Sequence, residues 1–365
     1  MPNILLILCF GFVSSVLSKT YETYMGERDT PLVIRTPKIY NINLDESYEE
    51  RWRPVLKDFA LYLNQFIASL DLKIQPILKI FDKFDYPIMV AYNKEFAKEI
   101  KAISKLTSHS FTLISALNFI YDISAQCTSI LVQDPQGNVY HGRNLDFSYA
   151  PYLANLTFHG RYFKNGKLLY EAISIAGYTG LITGIKPNAY SFSIDQYILP
   201  RDPNTFDDIQ IFISDIVQLL RRKQSPTNVV RTGFETIPDY EGFVKYLKET
   251  DTVSKAFYII AGAKQNQGVV ITKFRNKVQN TTTLNPQAGR WFVAQTNYKG
   301  NIPDPKNDNR ATAAIDWLNE IGWNEINKDN LVSKIFTIYP IFNNETLHTT
   351  IMQPSTGYFN TTLWY

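Results

Sequence analysis

The stretch from Cys127 to Asp146 constrains the fold of this chain more than any other. It reads Cys127-Thr-Ser-Ile-Leu-Val-Gln133, then Asp134-Pro-Gln-Gly137, then Asn138-Val-Tyr-His-Gly-Arg143-Asn-Leu-Asp146. Two runs of strand-forming side chains flank a turn in which proline presets φ and glycine tolerates a positive one, so the segment reads as a β-hairpin. Across a hairpin, two residues share a face when their numbers have an even sum, and an odd-membered loop therefore places Arg143 beside Cys127. A guanidinium there lowers the pKa of a thiol and of a nearby amine alike, and Asp146 is placed to orient a neighbour or accept a proton. The same residues also fit a buried cysteine on an ordinary strand, with Arg143 and Asp146 as a plain ion pair. Spacing alone does not separate the two.

The chain has two cysteines, Cys9 and Cys127. Residues 4–17, ILLILCFGFVSSVL, are an apolar run too short to span a bilayer, and the small residue Ser18 follows, so residues 1–18 read as a signal peptide. Its removal takes Cys9 away and leaves one thiol with no internal disulfide. An unpaired thiol is a liability in an oxidising compartment unless its chemistry is used, which points to Cys127 as a nucleophile. The acceptor triplets at Asn155, Asn280, Asn344 and Asn360 agree with export, and the expected location is lysosomal or secreted.

Upstream of the hairpin the pattern is helical. Val55, Leu56, Phe59, Leu63, Phe66, Ile67 and Leu70 recur at helical spacing after Pro54, which suits a first turn; Ile77, Ile80, Phe81 and Phe84 repeat the pattern after Pro76, and Phe96, Ile100 and Ile103 mark a third helix. Such stripes fit packing on the core, or contact with a membrane or micelle surface. Downstream, period-two runs take over at residues 128–133, 138–144 and 167–175, the last after the Asn165-Gly166 turn. Further strands are expected at 190–197, 256–261, 268–274 and 291–296, with helices at 207–222 and 310–321. Helices first, then sheet with inserted helices and no βαβ rhythm, predict an α+β layered sandwich.

Thirty-seven basic residues nearly balance 34 acidic ones, leaving +3 with no basic block, which excludes nucleic acid as a partner. There is no paired-cysteine cluster, no His-Glu-x-x-His, no Gly-x-Ser-x-Gly and no phosphate-cradling glycine loop, so zinc, serine-hydrolase and nucleotide chemistry fall away and no cofactor or metal is expected. None of the four histidines sits in a cysteine–histidine pairing motif, and His141 reads as a structural strand residue.

Cys127-Thr-Ser-Ile followed by His141-Gly-Arg-Asn-Leu-Asp-Phe147 closely resembles the acid ceramidase and N-acylethanolamine-hydrolysing acid amidase family, N-terminal-nucleophile hydrolases of the choloylglycine-hydrolase type. The likeness extends to Tyr40-Asn-Ile-Asn-Leu-Asp45 before Arg51-Trp52, to Ala176-Gly-Tyr-Thr-Gly180, to Gly268-Val-Val-Ile-Thr272, and to Gln295-Thr-Asn-Tyr298 before Asp308-Asn-Arg310. The resemblance implies a four-layer αββα sandwich with an N-terminal helical segment. It also implies autocatalytic cleavage between Gln126 and Cys127 into a helical α-subunit, residues 19–126, and a catalytic β-subunit, residues 127–365, that stay together as a heterodimer. Residue 127 then carries a free amine that can act as the nucleophile's own base. Carried over by position, Arg143 and Asp146 stand beside the nucleophile Cys127, Asn297 matches the oxyanion-stabilising asparagine, and Arg310 completes the set.

This chain departs from the family pattern in two places. Asp195-Gln196-Tyr197 stands where an Asn-Glu-Arg or Asp-Glu-Arg triplet is usual, and Ala311 stands where a second arginine is usual. Asp195 is one residue from the missing glutamate, and a strand points it to the opposite face, so it reads as a poor substitute. The expected substrate is a fatty-acyl amide lipid. The spacing from Asp146 to Asn155 and the lack of disulfide cysteines resemble the amidase branch, which acts on N-acylethanolamines such as palmitoylethanolamide. Phe147 and the stretch Thr183–Ser193 resemble the acid ceramidase branch, which makes N-acylsphingosine the alternative. A non-catalytic lipid-binding homologue is the second alternative.

Overall fold

The computed structural model describes residue 28 and residues 32–69, 86, 89–90, 93–118, 125–147, 149–198, 223–298 and 308–365. The expected signal peptide with Cys9, the helix after Pro76 and the helix at 207–222 lie outside the described residues. In chain order the elements are β1 (Lys38–Asn43), α1 (Tyr48–Ser69), α2 (Lys94–Thr107), α3 (Phe111–Leu117), β2 (Ala125–Gln133), β3 (Val139–Phe147), α4 (Ala150–Ala154), β4 (Thr157–Lys164), β5 (Lys167–Ile175), β6 (Thr183–Lys186) and β7 (Tyr190–Gln196). There follow α5 (Pro226–Thr236), α6 (Tyr240–Glu249), β8 (Lys255–Gly262), β9 (Gly268–Phe274), β10 (Lys277–Thr283), β11 (Phe292–Gln295), α7 (Arg310–Ile321), α8 (Lys328–Leu331), β12 (Thr346–Gln353) and β13 (Tyr358–Leu363).

The strands form two sheets, one of eight in the order β1-β4-β5-β6-β7-β8-β9-β10 and one of five in the order β11-β2-β3-β12-β13. Three apolar layers separate four structural ones. Between the sheets, Leu131 and Val139 meet Phe257, Ile259 and Val270. On the outer face of the large sheet, Trp52, Phe59 and Ile100 of the upstream helices and Phe234 and Phe243 of α5 and α6 pack on Phe158, Tyr190 and Phe192. On the outer face of the small sheet, Ile130 and Val132 meet Ala314, Leu318 and Leu331. The expected αββα sandwich is therefore present. Alternation within a fully buried strand explains how one strand serves two layers: Tyr190, Phe192 and Ile194 of β7 point to the helices, while Ser191, Ser193 and Asp195 point between the sheets.

The upstream segment is not purely helical. Its strand β1 pairs in parallel with β4, Tyr40 opposite Gly160, and so becomes an edge of the large sheet. Helix α1 begins before Pro54, with Ser47 Oγ accepting from the Glu50 amide at 3.3 Å and with Glu49 and Glu50 in the first turn, where the helix dipole favours anions.

The hairpin forms with the expected odd loop. Asp134 N donates to Asn138 O at 3.0 Å, Gly137 N donates to Asp134 O at 3.0 Å, and Gly137 takes φ 86°, a value that only glycine adopts freely. The strands run further than the sequence indicates. The Gln126–Cys127 bond lies inside β2, where Cys127 is opposite Leu145, and Ser129 is opposite Arg143.

Candidate active site

The Cys127 side chain is completely buried and is contacted from both sheets. Arg143, on the same face of the neighbouring strand and one pair further along, reaches it diagonally: Nη2 donates to Cys127 Sγ at 2.9 Å. Nη1 of the same guanidinium donates to Ile182 O at 2.7 Å and Thr183 Oγ1 at 2.8 Å, which fixes its plane. A buried guanidinium in contact with sulfur favours thiolate over thiol, because the charged form gains both the Coulomb attraction and the hydrogen bond.

Asp146 is not beside the sulfur. It lies on the opposite face of β3, where Arg310 Nη1 donates to its Oδ2 at 3.1 Å and Thr346 donates to its Oδ1 at 2.8 Å. Burial pushes its pKa up, and Arg310 and Thr346 oppose that rise. Arg310 is the hub of this side. It donates through Nη1 to Cys127 O at 2.9 Å and through Nη2 to Asn297 Oδ1 at 3.1 Å. Its Nη2 also binds Asp308 at 2.7 Å; burial pushes the Asp308 carboxyl up, but the Arg310 charge and its hydrogen bonds together hold it below the ordinary range. Asp146 thus acts on the backbone of Cys127 through Arg310.

Asn297 faces the nucleophile with its oxygen. Cys127 N donates to Asn297 Oδ1 at 2.8 Å, while Asn297 Nδ2 donates to Gln196 O at 3.0 Å. One of its amide hydrogens is therefore held by a carbonyl.

Five residues expected from the sequence, Cys127, Arg143, Asp146, Asn297 and Arg310, gather within one buried cluster, in two groups: Arg143 on sulfur, the others on the backbone of residue 127. The sequence reading missed Asp195. The strand does turn positions 195 and 196 to opposite faces, but it is residue 195 that faces Cys127. Ser129 Oγ donates to Asp195 Oδ1 at 2.8 Å. Burial raises the Asp195 pKa to about 7, against the opposing pull of Arg143, Ser129, Arg310 and a hydrogen bond from Cys127. His141 is buried as expected of a structural residue, and burial, reinforced by Arg143, lowers its pKa to about 3. Among the described residues, no cluster of three or more acidic, histidine or cysteine side chains could hold a metal ion.

A small apolar cleft adjoins this cluster. Leu145, the cross-strand partner of Cys127, lines it together with Ile182, whose carbonyl holds Arg143. The rest of its wall includes Leu63 and Phe66 of α1, Leu117 of α3 and Phe147. Both sides of the Gln126–Cys127 bond therefore build it.

A two-sheet αββα sandwich with a buried cysteine on an inner strand, an arginine on its sulfur and an asparagine on its amide is an arrangement suited to a cysteine amidase. The family model described as the beta subunit of N-acylethanolamine-hydrolyzing acid amidase matches residues 35–85. That match lies wholly upstream of Cys127. The chain is 32% identical to the N-acylethanolamine-hydrolyzing acid amidase of Rattus norvegicus over 321 residues, 87% of this chain and 86% of the relative. It is 28% identical to the acid ceramidase of Homo sapiens over 349 residues, 89% of this chain and 85% of the relative. The solved Caenorhabditis elegans N-acylethanolamine-hydrolyzing acid amidase ortholog superposes with a TM-score of 0.58 at 29% identity, covering 65% of this chain and 99% of that one. The chain belongs to the N-acylethanolamine-hydrolyzing acid amidase and acid ceramidase family, and it is a hydrolase.

Proposed function

We propose that the chain cleaves its own Gln126–Cys127 bond and then hydrolyses the amide of fatty-acyl ethanolamines such as palmitoylethanolamide, releasing the fatty acid and ethanolamine. The apolar cavity beside the nucleophile carries the substrate reading. Each methylene buried there contributes about 0.8 kcal/mol, so a fatty-acyl chain supplies the binding while its carbonyl sits at Cys127. Arg143, 2.9 Å from the attacking sulfur, stabilises the thiolate as it forms. Once cleavage frees the Cys127 amine, Asn297 Oδ1, now 2.8 Å from that nitrogen, orients it as base. Asn297 Nδ2 serves the tetrahedral oxyanion by giving up the Gln196 carbonyl, a contribution of about 3 kcal/mol for one such donor.

N-acylsphingosine is the second reading, favoured by Phe147, which resembles the acid ceramidase branch and lines the cavity. The non-catalytic alternative gives way to membership of a hydrolase family. The secretory reading, with a lysosomal or extracellular destination, draws support from the exposed acceptor residues Asn280 and Asn360. Contact with a lipid surface draws support from Leu61, 63% exposed, and Tyr152, 42% exposed, on the helices that flank the cavity.

The test is intact-mass analysis and N-terminal sequencing of the exported chain, followed by assay of palmitoylethanolamide against N-palmitoylsphingosine. A downstream piece that begins at Cys127 and an ethanolamide rate well above the sphingosine rate are expected, with Cys127→Ala losing both cleavage and hydrolysis. A chain that stays whole under all conditions sinks the self-cleavage, and preference for the sphingosine amide promotes the second reading.

A further inference from the structure

Between the two sheets runs a chain of buried hydroxyls that ends beside the nucleophile. Ser191 Oγ is 3.0 Å from His141 Nδ1, His141 Nε2 is 2.8 Å from Ser193 Oγ, Ser193 Oγ is 2.8 Å from Ser129 Oγ, and Ser129 Oγ is 2.8 Å from Asp195 Oδ1. The polar atoms come from three strands: Ser129 from β2, His141 from β3, and Ser191, Ser193 and Asp195 from β7. All five side chains are completely buried. Asp195 Oδ2 is buried with no hydrogen-bond partner, and Cys127, whose Sγ lies 3.8 Å from the carbonyl oxygen of the preceding residue Ile194, is among the groups that act on this carboxyl.

Counting hydrogens fixes the direction of the chain. Each serine has one O–H, and neutral imidazole has one N–H. With Asp195 ionised, Ser129 spends its proton on Asp195, Ser193 on Ser129, His141 Nε2–H on Ser193, and Ser191 on Nδ1. With Asp195 protonated and donating to Ser129, every bond reverses, and the histidine proton moves to Nδ1 as Ser193 donates to Nε2. In either state each hydroxyl and each ring nitrogen of the array keeps a hydrogen-bond partner, where an unpaired one would cost about 1–3 kcal/mol.

We propose that Asp195 is the proton shuttle for cleavage of the chain before Cys127, and that the Ser129–Ser193–His141–Ser191 array stabilises it in both protonation states. This rests on the self-cleavage proposed above. In the uncut chain the nitrogen of Cys127 is an amide and cannot act as a base, so the thiol needs another acceptor. The Sγ proton passes to the Asp195 carboxylate as sulfur bonds to the carbonyl carbon of Gln126. The bond from that carbon to the Cys127 nitrogen then breaks, the proton passes from Asp195 to the nitrogen, and a thioester and a free amine result. Water hydrolyses the thioester to the Gln126 carboxylate and the Cys127 thiol. The groups that face Asp195 are Cys127 from β2, His141 and Arg143 from β3, and Arg310 from α7. The arginines favour its ionised form, and burial favours the neutral one. A group with both forms populated near neutral pH can both take and give a proton.

The experiment uses the full chain. Wild type and Asp195→Asn are followed by intact mass from pH 5 to 9, and the tautomer of His141 is read from imidazole ¹⁵N shifts in uncut Cys127→Ala. Cleavage at least about 100-fold slower in Asp195→Asn is expected, and the wild-type rate should change with an ionisation that coincides with a switch of His141 between Nε2–H and Nδ1–H. Equal rates and pH profiles for wild type and Asp195→Asn, or a His141 tautomer that stays the same across the range, overturn the proposal. If Asp195→Asn does not fold, Ser193→Ala carries the test: its cleavage ionisation shifts away from the wild-type value, and an unmoved profile overturns the proposal. A wild-type chain that never cuts refutes the self-cleavage itself, which is a different result.

Discussion

Cys127 and Arg143 share a face because the hairpin loop is odd-membered: with residues 134–138 between the strands, positions of even sum point the same way. Parity did not reveal which of the facing residues would touch, and the register sets Leu145 opposite the cysteine and Arg143 one pair along. It also could not show Asp195 or the serine array, because those contacts cross from one sheet to the other, and no local spacing encodes how two sheets face each other. On β7 it is position 195, not position 196, that faces between the sheets towards Ser129. At this scale the guanidinium on sulfur has a measurable consequence. Arg143→Gln keeps a donor but removes the charge, so the thiol pKa rises. The pH at which iodoacetamide alkylation of Cys127 reaches half its maximum should move up by about 1–3 units, measured in unfolded-state-corrected rates so that global opening does not mask the shift. An unchanged midpoint would show that the charge of Arg143 is compensated elsewhere.

Among the elements, some were legible in the sequence and others of similar length were not. The strand at 167–175 and the helix at 310–321 appear as the alternation and the 3.6-residue stripe indicate. The helices α5 and α6 and the strands β12 and β13 were missed because their apolar residues are set by neighbours distant in sequence. The strand β3 shows how tightly one position can be fixed by packing. Gly142 lies on its outer face, and a Cβ there would come 2.1 Å from Phe336 Cε2 and 2.7 Å from Cζ. The Phe336 ring is itself completely buried among the residues under α7 and α8, so it has no free direction in which to yield. Gly142→Ala should therefore destabilise the fold by about 1–3 kcal/mol, seen as a lower urea midpoint. Adding Phe336→Leu, which vacates the space, should recover part of that loss although it is destabilising alone. Strictly additive losses would show that backbone strain, and not the ring, opposes the methyl.

For the whole molecule, the upstream piece is part of the core and of the cavity wall, and it is held by more than apolar contact. Glu99 of α2 is buried. It accepts from Trp52 Nε1 at 2.6 Å and from Arg231 of α5 at 2.7 and 3.1 Å, which ties the two pieces across the proposed cut. Stability against pH is a second property of the whole, since it sums buried groups of opposite sign. Asp195 has a folded pKa of about 7 against an ordinary 3.8, so the folded state keeps a proton that the unfolded chain has released. Its contribution is complete below pH 3.8 and is lost as pH rises towards 7. His141 works the other way: held at about 3 against an ordinary 6.5, it must stay neutral to stay buried, so the fold gains stability as pH rises through that window. His348, also buried and pushed well down, acts in the same sense. Asp308, held below the carboxylate range, gives way only in stronger acid. Between pH 5 and 6.5 one carboxyl opposes two imidazoles, so the wild-type melting temperature should rise with pH there, but less steeply than that of Asp195→Asn. Substitution exposes the hidden slopes. Relative to Asp195→Asn, wild type should lose about 2–3 kcal/mol between pH 5 and 8, read from urea unfolding at each pH. If that difference stays constant with pH, Asp195 is ionised throughout, and the hydrogen-bond array never reverses.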